Sequence, residues 1–491
     1  MVIKPSQFEK SEIYVTPLTG RYCSMDAKIL AGEAYRWTCI RAIWLAVLET
    51  QVEMEVLDKP PSKEAITKFR ENLTVYDWDK IREIERELKH DVMANISYIS
   101  KHLVPELGEV IHVSMTSEDA TSNGEIIQQR EWIKYIMAHS ANFLKIGLEQ
   151  VDKFKSLPML GETHLQPAAA VTLGKRISMW IGPIMEDLEA LDFLLSRWNM
   201  KGIRGATGTY EAMMKLMGGY FERVMEFQDS VSEKLDIKIT ELVPGQTAHR
   251  SMEVALLACF TSLGNNLAKF ATDIRHLARM GEIGEPRGKN QVGSSAMPWK
   301  QNPMKDERLN SLARILPGFK LMADMTQQVQ GLERTLDDSA GRRIYLPQSF
   351  LVTDACLRLA TEVMEGFNIF ENVVKTRLAI MLPFLATEEI LALATKQGAS
   401  REKTHHIIMK TCGEVWLDIA NGTISDNDLL LRLQNGGYKE LEGIKFPEKL
   451  DPMNYVGASV EICDNFLQSD IALSVLEFAE DNPVNSEKSE V

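Results

Sequence analysis

The sequence is short of the residues that make turns. Glycine (30) and proline (18) together supply under a tenth of its 491 residues, against roughly 12% in an average chain, so a helical protein is expected and an all-β one is not. Paired cysteines are missing too. Cys23, Cys39, Cys259, Cys356, Cys412 and Cys463 lie far apart with no CxxC spacing, which suggests reduced thiols and a cytoplasmic compartment. There is no HExxH, and the adjacent His405 and His406 suit chelation from one helix face poorly, so no structural metal is expected. No uncharged apolar run approaches the roughly 18 residues of a membrane span. Met1 to Lys10 holds Lys4, Pro5 and Glu9 in place of an apolar signal core, so a soluble protein with no membrane partner is expected. Positive charge is also in deficit. With 55 basic against 69 acidic residues the net charge is −14, which argues against nucleic acid as a partner, since that affinity rests on Lys and Arg. A small anionic ligand needs only a local cluster of cations.

Apolar residues at 45% and charged residues at 25% exclude wholesale disorder, and the length fits about three domains of roughly 150 residues. The clearest pattern lies mid-chain. Ile177, Ile181, Ile184, Leu188, Leu191, Leu195 and Trp198 alternate steps of four and three, as do Leu256, Phe260, Leu263, Leu267, Phe270, Ile274 and Leu277. Each is a heptad seam on a long helix, the first kinked by Pro183. Another long helix is expected from about Gly124 to Lys155, with Ser122 and Glu125 as its capping box. A fourth is expected from Asn302, with Pro303 and then Asp306 and Glu307 in its first turn, bent at Pro317-Gly318. Shorter helices are expected before residue 115 and after 370. The fold class is therefore all-α, with three helical domains: 1–115, a central bundle over 116–369, and 370–491.

Residues 281–305 break the helical pattern with four glycines and three prolines. A loop this long between strong helices is often a functional lid. It carries Arg287, Lys289, Lys300 and Lys305 and leads into a helix N-terminus, where free N–H groups favour an anion.

Within it, Gly293-Ser294-Ser295-Ala296-Met297-Pro298-Trp299-Lys300-Gln301-Asn302-Pro303 resembles the GSSxMPxKxNP signature of the fumarase/aspartase superfamily. Further stretches resemble its adenylosuccinate lyase family in particular: Gly20-Arg21-Tyr22, His90-Asp91-Val92-Met93-Ala94, Thr116-Ser117, Thr163-His164-Leu165-Gln166-Pro167, Gly245-Gln246-Thr247, and Glu333 to Ala340 followed by Arg342-Arg343. The resemblance implies a fumarase-like bundle and β-elimination of fumarate, from adenylosuccinate giving AMP and from SAICAR giving AICAR. It implies no cofactor, because the substrate's own carboxylate delocalises the carbanion, provided cations and N–H donors meet it.

Carried over residue by residue, the resemblance makes Ser294 the base and His164 the acid toward the leaving nitrogen. His90, flanked by Lys89 and Asp91, orients the substrate. Thr116, Ser117, Gln246, Lys300 and Asn302 hold the succinyl carboxylates. Arg21, Tyr22, Arg334, Ser339 and Arg343 cradle the phosphate, with Arg308 nearby, and Glu307 orients His164 or Lys300. His164, before Gln166-Pro167, reads as the start of a helix. The family further implies a homotetramer whose active sites are shared between subunits. Two other readings stand beside it. An argininosuccinate lyase-like enzyme would not need a phosphate cradle, and Ser339 and Arg343 argue against it. A catalytically silent helical scaffold would not need Ser294, His164 and Lys300.

Overall fold

The computed structural model describes residues 13–240, 243–292, 294–447 and 449–484. Met1 to Lys10, Gly293 and all but the first residues of the polar tail lie outside them. Short α1 (Met25–Leu30) leads into α2 (Glu33–Glu53). No glycine or proline falls between Gly32 and Pro60, and α2 is apolar on all sides and buried on all sides, as such a helix must be. It is longer than the short helices expected before residue 115. After Pro60-Pro61 come α3 (Lys63–Glu71), α4 (Trp78–Leu88) and α5 (Asp91–Tyr98).

Helix α6 (Ser117–Phe154) spans 38 residues, about 57 Å at 1.5 Å per residue. It starts seven residues before Gly124. The capping box is Thr116 with Asp119, not Ser122 with Glu125. Ser122 donates to Glu118 at 2.6 Å, and Glu125 pairs with Arg36. Gly124 serves packing instead of a helix start: a Cβ there would lie 2.9 Å from the Ile40 backbone, because α2 crosses at that point.

A hairpin follows, β1 (Pro158–Thr163) against β2 (Gln166–Thr172). His164 and Leu165 form its tip, with φ of 53° and 58°, the two-residue left-handed turn that suits strand twist. His164 therefore stands on a hairpin, not at the helix start expected for it. Then come α7 (Leu173–Arg197), α8 (Glu211–Leu216), α9 (Phe221–Leu235) and α10 (Ser251–Arg279). Pro183 lies within α7. On α10 the whole seam from Leu256 to Leu277 is buried; on α7 it is buried from Ile177 to Leu191, with Leu195 only partly covered. Both seams are thus used up inside this chain.

The 281–305 loop contains β3 (Ile283–Gly284), which pairs with β4 (Asn368–Ile369). The helix expected from Asn302 is two helices, α11 (Met304–Ala313) and α12 (Leu316–Val329). The chain breaks at Arg314-Ile315, since Pro317 suits a first helical turn and lacks the N–H of an interior one. α13 (Ser339–Gly366) completes a bundle with α6, α7 and α10. The rest is α14 (Glu371–Leu385), α15 (Thr387–Lys396), α16 (Arg401–Ala420), α17 (Leu429–Asn435), α18 (Ser459–Leu467) and α19 (Asp470–Asp481).

One large core joins α1, α2, the bundle, α18 and α19. A second lies between α2 and α3–α5, and a third among α15–α17. By length and composition alone, Ser251–Arg279 and Glu371–Lys396 could cross a membrane; the first is the bundle's core helix, and the second is interrupted at Ala386 between α14 and α15.

Candidate active site

A cavity of about 830 Å³ opens between α2, the start of α5, the first turns of α6 and α13, and the segment before α13. Three helix N-termini converge on it. His90 caps α5, its Nδ1 accepting the Met93 N–H at 3.4 Å. Ser117 is the first residue of α6 and Ser339 the first of α13. Free N–H groups and helix dipoles at such ends favour anions. Of the residues singled out from the sequence, Lys89, His90, Asp91, Ser117, Arg334, Ser339 and Arg343 line this one cavity. His90 Nε2 lies 3.3 Å from Ser117 Oγ.

Most of the cavity's cations already hold carboxylates. Arg36 donates to Glu125 from Nε and Nη2 at 2.9 and 2.6 Å. Arg342 bridges Glu125 and Glu253, and Arg334 holds Glu118 at 2.9 Å. Burial alone would raise the Glu125 carboxyl, but Arg342, Arg36 and Arg250 outweigh it and hold it far below the usual carboxylate range. Arg343, half exposed, holds Asp91 at 2.7 Å. Burial works against the Asp91 anion, yet Arg343 and Arg36 keep its carboxyl below the usual value.

The sequence reading missed Arg36 and Glu118, took Glu125 for a capping residue, and read Arg342 only with Arg343 as a basic pair, not as the bridge between Glu125 and Glu253. A signal was present: Glu118, Thr121, Glu125, Gln128 and Trp132 recur at helical spacing along α6, and all line the cavity. Arg36 is one of few charges on the mostly apolar α2, and a charge in such a setting needs a partner.

Thr116 and Gln246 flank the cavity. The Asp119 carboxylate, fully buried, accepts the Thr116 N–H at 2.8 Å, Lys201 Nζ at 2.6 Å and the Arg204 N–H at 2.9 Å. It thereby fixes the α6 N-terminus to the 201–205 turn. That turn leads to Ala206, whose carbonyl accepts Gln246 Nε2 at 3.2 Å. Gln246 Oε1 accepts Arg334 Nη1 at 2.9 Å, and both residues line a second hollow of about 640 Å³. Arg334 thus borders both spaces.

The other residues do not line the large cavity. His164 is exposed at the hairpin tip. Ser294 is partly exposed, and its Oγ accepts the Met297 N–H at 3.1 Å and the Ala296 N–H at 3.4 Å. Peptide donors on that oxygen would lower the cost of negative charge developing there. Lys300 and Glu307 are exposed, Asn302 and Arg308 partly so. Arg21 is exposed beside Tyr22 in the turn before α1, its guanidinium 5.9 Å from the Tyr22 ring. Among the described residues, no group of three or more His, Cys, Asp or Glu side chains is placed to hold a metal ion.

Residues 28–318 match a family model described as lyase. The chain is 32% identical over 462 residues to adenylosuccinate lyase of Saccharomyces cerevisiae, covering 93% of this chain and 95% of that one. It is 33% identical over 472 residues to adenylosuccinate lyase of Schizosaccharomyces pombe, covering 95% and 96%. Its fold resembles a 3-carboxy-cis,cis-muconate lactonizing enzyme from Pseudomonas putida, with a TM-score of 0.77 at 20% identity over 95% of this chain and 100% of that one. It also resembles a fumarate lyase from Mesorhizobium sp. BNC1, with a TM-score of 0.74 at 18% identity over 93% and 99%. The all-α bundle is thus fumarase-like, and the chain belongs to the adenylosuccinate lyase family of carbon–nitrogen lyases.

Proposed function

We propose that this protein cleaves adenylosuccinate to AMP and fumarate, and SAICAR to AICAR and fumarate, in purine nucleotide biosynthesis. The observation that carries this is the meeting of Ser117, Ser339, His90 and Arg343 at three helix starts in one cavity, in a chain 33% identical to an adenylosuccinate lyase over most of its length. Ser339 and Arg343 give the phosphate a hydroxyl, a helix N-terminus and a guanidinium, with Arg334, Arg21, Tyr22 and Arg308 completing the cradle. The Ser294 oxyanion, supported by its two peptide donors, takes the proton from the succinyl carbon beside a carboxylate. That electron pair forms the new carbon–carbon double bond as the carbon–nitrogen bond breaks, and His164 protonates the departing nitrogen. Thr116, Ser117, Gln246, Lys300 and Asn302 neutralise the carboxylates while charge builds there. His90, with Lys89 and Asp91, orients the substrate, and Glu307 orients His164 or Lys300.

We further propose a cytoplasmic homotetramer with shared active sites. His164 and Ser294 stand exposed on a hairpin tip and a loop, away from the cavity that holds His90 and Ser339. Neighbouring subunits would bring them together. α12 supports the same reading: Leu321, Met325 and Val329 form an exposed apolar stripe along it, each more than half accessible, which a partner helix would cover.

Purified protein should release fumarate from both succinyl nucleotides and none from argininosuccinate. Release from argininosuccinate alone would favour the sister enzyme, and no release from any of the three would leave the scaffold.

A further inference from the structure

The loop that carries Ser294 is closed at its base by two acidic side chains. Glu285, at the loop's start, turns its carboxylate onto the N-terminus of α11 at the loop's end. Its Oε1 accepts the Asp306 N–H at 2.7 Å and its Oε2 the Lys305 N–H at 3.1 Å. Beside this carboxylate, within hydrogen-bonding reach, sits the Asp306 side chain, fully buried. Among the described residues neither Asp306 oxygen has a donor. Two carboxylates in a dry contact cannot both ionise. Two peptide N–H groups at a helix N-terminus face the Glu285 carboxylate, a setting that suits an anion. Asp306 also lies in the first turn of α11, but among the described residues no peptide N–H reaches either of its oxygens.

We propose that Asp306 is a protonated positioning residue whose carboxyl O–H donates to the Glu285 carboxylate, latching the two ends of the Ser294 loop together. The surrounding charges agree. Burial is the largest influence on Asp306, followed by Glu285 and then Glu307, all pushing its carboxyl up; Arg275 on α10 pulls down, and the balance lies at about 10. On the side of α13, Lys305 is paired with Glu362. The Glu285 carbonyl is itself held by Asn368 Nδ2 at 3.3 Å beside the β3–β4 pair. The loop base is thus clamped to the bundle, while Arg287, Lys289 and Lys300 on the loop stay exposed. That the latch serves catalysis rests on the function proposed above; the latch itself does not.

The test uses the full-length protein. Infrared difference spectra at pH 8 should show a neutral-carboxyl C=O band in the wild type that Asp306→Asn lacks. Trypsin should cut Asp306→Ala at Arg287, Lys289 or Lys300 roughly tenfold faster than the wild type, the cost of one charge-assisted hydrogen bond. Asp306→Asn keeps a neutral donor, so it should restore slow cleavage and most of kcat, whereas Ala lowers kcat more than it raises KM. The latch is overturned if the band is absent, as with two ionised carboxylates sharing a cation, if Ala is cut no faster than the wild type, or if Asn is as loose as Ala. Should Ala not fold, the band and the Asn variant decide. Wild type that releases no fumarate would sink the proposed reaction and leave the infrared and cleavage results to judge the latch.

Discussion

Asp91 and Arg343, 252 positions apart in sequence, meet at 2.7 Å and tie the start of α5 to the first turn of α13. The pair aims the Arg343 guanidinium along the cavity wall before any ligand arrives, so less ordering is left for binding. Replacing Arg343 by Ala removes that cation and leaves Asp91 unpaired. We expect KM for succinyl nucleotides to rise about ten- to hundredfold, as for the loss of one hydrogen bond to a charged group. Lys should recover only part, because a point charge cannot hold Asp91 and a phosphate together as a planar fork can. Steady-state kinetics check this, and an unchanged KM for Ala would remove Arg343 from the cradle.

Asp119 and Lys201 are both fully buried and paired at 2.6 Å. Removing one partner strands the other's charge, which costs about 3–5 kcal/mol. Lys201→Met is therefore expected to lower the urea midpoint by that equivalent, and to weaken substrate binding through Thr116 and Gln246. A change within about 0.5 kcal/mol, typical of a surface substitution, would contradict the hub assigned to Asp119.

His139 stacks on Tyr135, ring centroids 4.2 Å apart, and burial, then Arg358, lower its pKa from 6.5 to about 4. Its folded value lies below its unfolded one, so its contribution is complete above pH 6.5 and is lost as pH falls toward 4. Asp354, bonded to Tyr135, runs the other way: burial pushes its carboxyl up to about 6, a contribution lost as pH rises through that value. The His139→Gln variant isolates the first effect. The stability gap between wild type and variant should grow with pH between 4 and 6.5, by roughly 3 kcal/mol at most. Chemical denaturation at several pH values measures it, and parallel curves would refute it.

If each site draws on several subunits, mixtures of inactive Ser294→Ala and His164→Ala chains should regain part of the activity, because some mixed sites receive both intact residues. Fumarate release by tetramers verified as mixed is the measurement. No recovery would confine the site to one chain.

Much of the fold was legible because the heptad seams carry a strong period, and the α7 and α10 cores fall on those residues. The α6 start was misread because two Ser/Thr-x-x-acid boxes lie six residues apart. The sequence cannot show that Asp119 gathers donors from the distant 201–205 turn. Nor does it show that Gly124 answers to Ile40 on another helix. The hairpin bearing His164 was missed because its turn has no glycine; the left-handed tip is held by strand pairing instead. The cavity residues flagged in sequence came as motif blocks. The ion pairs beside them join Arg36 and Arg342 to Glu125, charges on three different helices whose pairing only the fold reveals.

The proton-abstracting role of Ser294 is the claim on which the rest depends, and Ser294→Ala tests it most directly. Fumarate formation from adenylosuccinate should fall by roughly a thousandfold, the usual worth of a placed general base, while calorimetry still detects substrate binding with near wild-type affinity. A variant that binds normally and keeps activity within about tenfold of wild type, well inside what a general base contributes, would contradict it.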